Sequence, residues 1–187
     1  MTPTFRLLRA LPTILFAGLF VFAAAAQDER KPLRPSDVVK PQAYVSLQPV
    51  PRGKIFEIAV VIEVHSGFHI QANKVLEEYL IPATVAAELP AGLRLVSTTY
   101  PKSLLKKFTF SEKPMAVYEG KATVRLKLEA QPSAALGPLK IPLVLRFQAC
   151  NDELCLPPAK LSLVAELEIA KSGAPAQAQH PEIFGQR

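Results

Sequence analysis

The sequence predicts an all-β protein, an immunoglobulin-like sandwich of two antiparallel sheets with a disulfide-bearing hairpin. Three observations carry that expectation. Apolar residues alternate with period two along most of the chain, the pattern of half-buried antiparallel strands. Turn signals (Pro51-Arg52-Gly53, Pro90-Ala91-Gly92, Leu136-Gly137-Pro138) divide it into short segments. Proline, at 18 of 187 residues, is about twice its usual share of roughly 5%. Proline breaks helix interiors, and no stretch of helical period of useful length appears.

Residues 1–26 carry Arg6 and Arg9, no acidic residue, an apolar run over 11–22 and a closing Ala24-Ala25-Ala26. This is the pattern of a cleaved secretory signal peptide. The run is short and broken by Pro12, which speaks against a membrane-spanning helix. No cysteine follows it, so a lipid anchor is not expected. Residues 27–42, charged and punctuated by proline, read as an extended leader with little core of its own. The folded domain is expected over 43–170, and the Ala-, Gln- and Pro-rich residues 171–187 as a disordered tail.

Within the domain, Phe56, Ile58, Val60, Ile62 and Val64 share one face of a strand. Val124, Leu126 and Leu128 share another, as do Leu161, Leu163, Ala165, Leu167 and Ile169. Further strands are expected at 43–48, 79–88, 93–100 and 139–148. About seven short strands in some 130 residues suit a two-sheet sandwich.

Much chemistry is excluded at this level. Glycine-rich phosphate loops, G-x-S-x-G, H-E-x-x-H and dinucleotide fingerprints are all missing. The net charge of +6 is spread along the chain, with Lys106-Lys107 the one short cluster after the leader. That is no nucleic-acid footprint, and it is read as a solvated surface. His65 and His69 stand four apart, but Ser66-Gly67 between them puts them at a strand end, where helical ligand spacing does not apply. No metal, cofactor or small-molecule substrate is expected.

Cys150 and Cys155 are the only cysteines, and in an oxidising compartment they can form one disulfide. Strands run into and out of them, so they flank a four-residue hairpin tip. Cross-strand neighbours lie about 4.5–5.5 Å apart, inside the disulfide window. Closing a six-residue loop stabilises by only about 2 kcal/mol, against nearly 5 for a hundred-residue loop. Counting by twos from Leu143, Leu145 and Phe147 puts Cys150 on the opposite face with Arg146 and Gln148, where its thiol would be reachable. Pairing Cys150 with Cys155 also sets Leu143 opposite Ser162, so one bulge must correct the register, expected at Pro157-Pro158. Asp152 and Glu153, in the tip, would raise the thiol pKa values, or are simply turn residues. The residues alone leave a structural clip, a redox pair and a metal site open.

The run Phe147-Gln148-Ala149-Cys150-Asn151-Asp152-Glu153-Leu154-Cys155-Leu156-Pro157-Pro158 closely resembles the N-terminal periplasmic domain of the DsbD family of reductant conductors. Two further motifs agree in the family's order: Ser66 to Asn73 (SGFHIQAN), and Phe108 to Glu112 (FTFSE) leading to Val117-Tyr118-Glu119-Gly120. The resemblance covers roughly residues 43–169. It implies an immunoglobulin-like domain whose cysteine pair takes electrons from a membrane-embedded reductant conductor. The pair hands them to thioredoxin-like periplasmic proteins, among them disulfide isomerases and the reductants of cytochrome c maturation. It implies that Cys150 and Cys155 are the redox pair and that Cys155 forms the mixed disulfide. It further implies a cap loop within 108–115 that shields the pair with an aromatic ring, Phe110 first and Phe108 next, either of which also reads as ordinary core. His69 falls beside the site, as a tuning residue or as a hydrogen-bonded histidine at a strand end. DsbD itself continues into membrane helices and a thioredoxin domain. The expectation here is a stand-alone electron carrier of protein-disulfide reductase type, with donor and acceptor in trans. The competing expectation is a non-catalytic binding module with a clipped hairpin.

Overall fold

A computed structural model describes residues 32–109 and 111–185. The expected signal peptide, residues 27–31 of the leader and Phe110 lie outside the described residues. A one-turn helix α1 (Pro35–Val38) leads into β1 (Val39–Val45), β2 (Leu47–Gln48), β3 (Val50–Pro51), β4 (Ile55–Val64) and β5 (His69–Gln71). There follow β6 (Thr84–Ala87), β7 (Leu93–Thr99), β8 (Leu104–Lys106), β9 (Met115–Tyr118) and β10 (Lys121–Ala130). The chain continues through β11 (Gly137–Phe147), β12 (Ala149–Cys150), β13 (Ala159–Ala170) and β14 (Gln177–Ala178) to a last turn of helix, α2 (Pro181–Phe184).

The architecture is the expected immunoglobulin-like sandwich. One sheet has the order β1-β4-β10-β7 and the other β3-β13-β11-β6. Pairing is antiparallel except for the short β3, which runs parallel to β13. The period-two faces meet in one core: Ile58, Val60 and Ile62 of β4, Val124, Leu126 and Leu128 of β10, Ile141, Leu143 and Leu145 of β11, and Leu167 and Ile169 of β13. Leu161 and Leu163, at the start of β13, are only partly buried against it.

Three expectations need correction. The leader is not extended throughout. Asp37 accepts the Arg34 backbone N–H at 2.9 Å, turning the chain into α1. The Arg34 guanidinium, hydrogen-bonded to the carboxylate, holds the Asp37 pKa down to about 2. Val38 and Val39 are then buried in the core, and β1 starts there rather than at 43. The segment expected as a strand over 79–88 pairs only over β6. The tail, expected to be disordered, returns to the sandwich. Gln177 and Ala178 pair with Gln48 and Leu47, the His180 ring meets Tyr44 edge-on at 4.9 Å, and Arg125 donates to the Ile183 carbonyl beneath the Phe184 ring. Tyr44 and Arg125 flank Ala59 across the sheet, which is why Ala59 is buried on the face that alternation assigned to solvent. Low hydropathy in the tail concealed a few specific aromatic and cationic contacts.

One glycine is fixed by close approach. Gly92 has φ +85°, and a Cβ there would stand 2.4 Å from the Ala134 Cα. Gly53 has φ +79° but open space around it. Gly92→Ala is therefore expected to lower stability by clearly more than the roughly 1–2 kcal/mol of a left-handed alanine, the value expected for Gly53→Ala. Urea denaturation of the two variants side by side checks this, and equal costs would refute the backbone contact as the cause.

Candidate functional site

The third sheet, β12-β5-β9-β8, carries the cysteines. Directly opposed residues of an antiparallel pair point to the same face. Ala149 opposes Ile70, which opposes Tyr118, and all three belong to the main core. On the other face Cys150 opposes His69, Gln71 opposes Val117, and Lys106 opposes Met115. Cys150 therefore stands on the outer face of a sheet whose inner face is anchored to the core.

That face is covered. Phe108, Met115 and Val117 form a separate apolar cluster with Leu80 packed against it. The Phe108 ring stacks on the His69 imidazole, with centroids 4.2 Å apart and planes 25° from parallel. The loop after Phe108 is closed by the Ser111 N–H on the Phe108 carbonyl at 3.1 Å and by the Ser111 hydroxyl on the Lys113 carbonyl at 2.7 Å. Lys113 pairs with Glu77 at 2.8 Å, tying the loop to the segment after β5. Phe110, the first choice for the covering ring, is outside the described residues, and Phe108 is the aromatic side chain seen here.

Cys150 and Cys155 are disulfide-bonded, with Cα atoms 4.0 Å apart. Their exposures differ sharply: Cys150 is 1% exposed, whereas Cys155 is an exposed residue. The expectation that Cys150 is reachable fails because the outer face it stands on is covered. β11 ends at Phe147, and after Gln148 the chain switches partners, so β12 pairs with β5 rather than continuing along β13. The count by twos survives this change of sheet, with Phe147 and Ala149 in the core and Cys150 facing away from it. The register bulge falls where expected: Phe147 pairs with Ala159, yet the Leu156 N–H donates to the Ala149 carbonyl at 2.8 Å. A step of two on one arm thus matches a step of three, through Pro157-Pro158, on the other.

The hairpin tip is held by a residue sequence reasoning passed over. The Asn151 side-chain oxygen accepts the Glu153 and Leu154 backbone N–H groups at 2.9 and 2.8 Å. An Asx turn of this kind is legible as Asn at the first tip position. Asp152 and Glu153 are both exposed. Asp152 lines a cleft of about 360 Å³ together with His65, His69, Lys106, Phe108 and Glu119, whereas Glu153 does not. Lys106 pairs with Glu119 at 2.6 Å, which raises the Lys106 pKa, and its ammonium lies 5.6 Å from the Phe108 centroid.

His69 is 1% exposed and its Nε2 has no hydrogen-bond partner among the described residues. Burial pushes its pKa below the ordinary 6.5, against the pull of Glu119 and Asp152 and with the push of Lys106. It is therefore neutral near pH 7. Both amide atoms of the neighbouring Gln71, fully buried, are likewise without partners among the described residues.

These features define a class: an immunoglobulin-like domain with a covered hairpin disulfide in place of a thioredoxin fold. The chain belongs to the family of the N-terminal domain of the thiol:disulfide interchange protein DsbD, whose model matches residues 36–166. The reduced DsbD N-terminal domain of Neisseria meningitidis aligns at 20% identity and TM-score 0.44, over 78% of this chain and 94% of that one. The GAE domain of GGA2p from Saccharomyces cerevisiae aligns at 14% identity and TM-score 0.42, over 72% and 94%. No curated protein matches the sequence.

Proposed function

We propose that the protein is an exported, periplasmic thiol–disulfide exchange module that carries electrons through Cys150–Cys155. Its donor is a membrane-embedded thiol reductant conductor, and its acceptors are thioredoxin-like proteins, including those serving cytochrome c maturation. The observation that carries this reading is the asymmetry of the disulfide, one cysteine open to solvent and the other sealed under a sheet face covered by Phe108. A clip for stability has no use for such an arrangement, and a six-residue loop contributes only about 2 kcal/mol.

The asymmetry supports the following roles. A partner's thiolate reaches Cys155, forms the mixed disulfide there, and displaces the sulfur of Cys150. Phe108 acts as the shield, keeping small thiols away until a partner moves the loop. Asp152 and Glu153, exposed at the tip, place negative charge near the emerging thiolate and oppose its formation.

Equilibration in glutathione buffers of graded potential, with thiol trapping and mass analysis, tests the reading. The expected reduction potential lies well above the value of about −300 mV below which structural disulfides of secreted proteins sit. A value below that line, with no exchange on a practical timescale, would leave a clipped hairpin and remove the redox function.

A further inference from the structure

Cys150 poses a problem that the cap makes worse. Whichever way electrons flow, its sulfur passes through a thiolate, as leaving group or as resolving nucleophile. Here that sulfur belongs to a residue 1% exposed, on a covered sheet face. An isolated buried anion is strongly disfavoured, so its proton must come from or go to a group within reach. Among the described residues, His69 is the one buried side chain that can take up a proton near neutral pH. It stands directly across the β5–β12 pair from Cys150, where side chains share a face and Cβ atoms lie about 4.5–5.5 Å apart. Its Nε2 is buried and has no hydrogen-bond partner among the described residues.

We propose that His69 is the proton carrier of Cys150. The inference rests on the redox reading above. In the mixed disulfide, the Cys150 thiol gives its proton to the His69 imidazole as its sulfur bonds to the Cys155 sulfur. The bond from Cys155 to the partner's cysteine breaks, and that cysteine leaves as a thiolate. Two electrons have passed to the partner disulfide, and Cys150–Cys155 is oxidised. In reverse, imidazolium returns the proton to Cys150 as it departs.

The other groups fit this role. The neutral state that burial favours for His69 is the one able to accept the proton. The charged groups around it are Lys106 from β8, Glu119 after β9 and Asp152 from the hairpin tip, with His65 at the rim of the cleft. The two carboxylates favour the imidazolium once formed, and Lys106 is already engaged by Glu119. The stack on Phe108 holds the ring while leaving Nε2 able to exchange a proton.

The test uses the reduced protein and dithiodipyridine as oxidant. Attack by Cys155 releases a first thiopyridone, and resolution by Cys150 releases a second, so the two steps separate in one absorbance trace. In the wild type, the second phase should speed up through an inflection below pH 6.5, as His69 loses its proton. His69→Gln, which keeps a polar group, and His69→Phe, which keeps the stack, should both slow the second phase about a hundredfold. Both should erase that inflection and leave the first phase unchanged. If His69 merely latches the cap, His69→Phe behaves as wild type and His69→Gln resolves faster; either result overturns the proposal. A wild type that never releases the second thiopyridone overturns the redox reading together with it.

Discussion

Cys150→Ser is expected to turn the protein into a trap. The serine variant retains Cys155, the exposed member of the pair. It should accumulate a mixed disulfide with a thioredoxin-like protein that has lost its own resolving cysteine, visible as one added mass on a non-reducing gel. Cys155→Ser should yield no such adduct, because the remaining thiol sits on a residue 1% exposed, across from His69 on a covered face. Electron transfer through the domain should vanish in both. The two variants lose the same six-residue loop closure, about 2 kcal/mol of stability, so that loss does not distinguish their reactivities. Iodoacetamide gives an independent reading: the lone Cys155 should alkylate at least about tenfold faster than the lone Cys150, since thiol reactivity follows access to the thiolate. Equal rates, or trapping through Cys150, would reverse the assignment of attacking and buried sulfurs.

The contrast between the two cysteines also marks where the sequence stops being legible. Period-two alternation reads correctly along β4 and β10, because one sheet pairs each of them along its length and a single core lies beneath. It also gives the face of Cys150 correctly, away from the core, but not its burial, because the cover over that face comes from Phe108, Met115 and Val117. Gln148 ends the pairing with β13, and its side-chain Nε2 donates to the Leu156 carbonyl at 3.2 Å. Nothing local in Phe147-Gln148-Ala149-Cys150 announces a change of partner, which depends on β5, some eighty residues earlier. The register bulge was legible, since two fixed pairings and a Pro-Pro step left it one place to go. The pairing of His69 with Cys150 was not, because it joins two motifs separated by the whole of β6 to β11. The resemblance to the DsbD domain set His69 beside the site without saying how; the register supplies the contact. Likewise the tail's composition gave no sign of Arg125, whose guanidinium holds both the Ile183 carbonyl and the Glu57 carboxylate.

Phe108→Ala should unlock the disulfide. The ring is 4% exposed, stacks on His69 and closes a cluster of few residues apart from the main core. Truncating a core phenylalanine costs about 3–5 kcal/mol. The cost here should fall at or below the lower end, because a surface loop can collapse where the interior of a sandwich cannot. The larger effect is kinetic. Without the ring, a small thiol gains a path to the outer face of β12, and reduction of the disulfide by dithiothreitol should accelerate about tenfold or more. In the Cys155→Ser background, the same change should bring the alkylation rate of Cys150 toward that of an exposed thiol. Global unfolding cannot imitate this result if the rates are compared well below the denaturation midpoint of each variant, where the unfolded fraction is negligible. An unchanged reduction rate would mean that Phe108 packs against His69 without guarding the sulfur, and the shield would then have to be sought at Phe110. A ring that guards by stacking on His69 must leave the imidazole for a partner to enter, whereas a guard elsewhere in the chain need not break that stack. Reduction rates of the two alanine variants therefore decide whether opening the cap also frees the histidine beside Cys150.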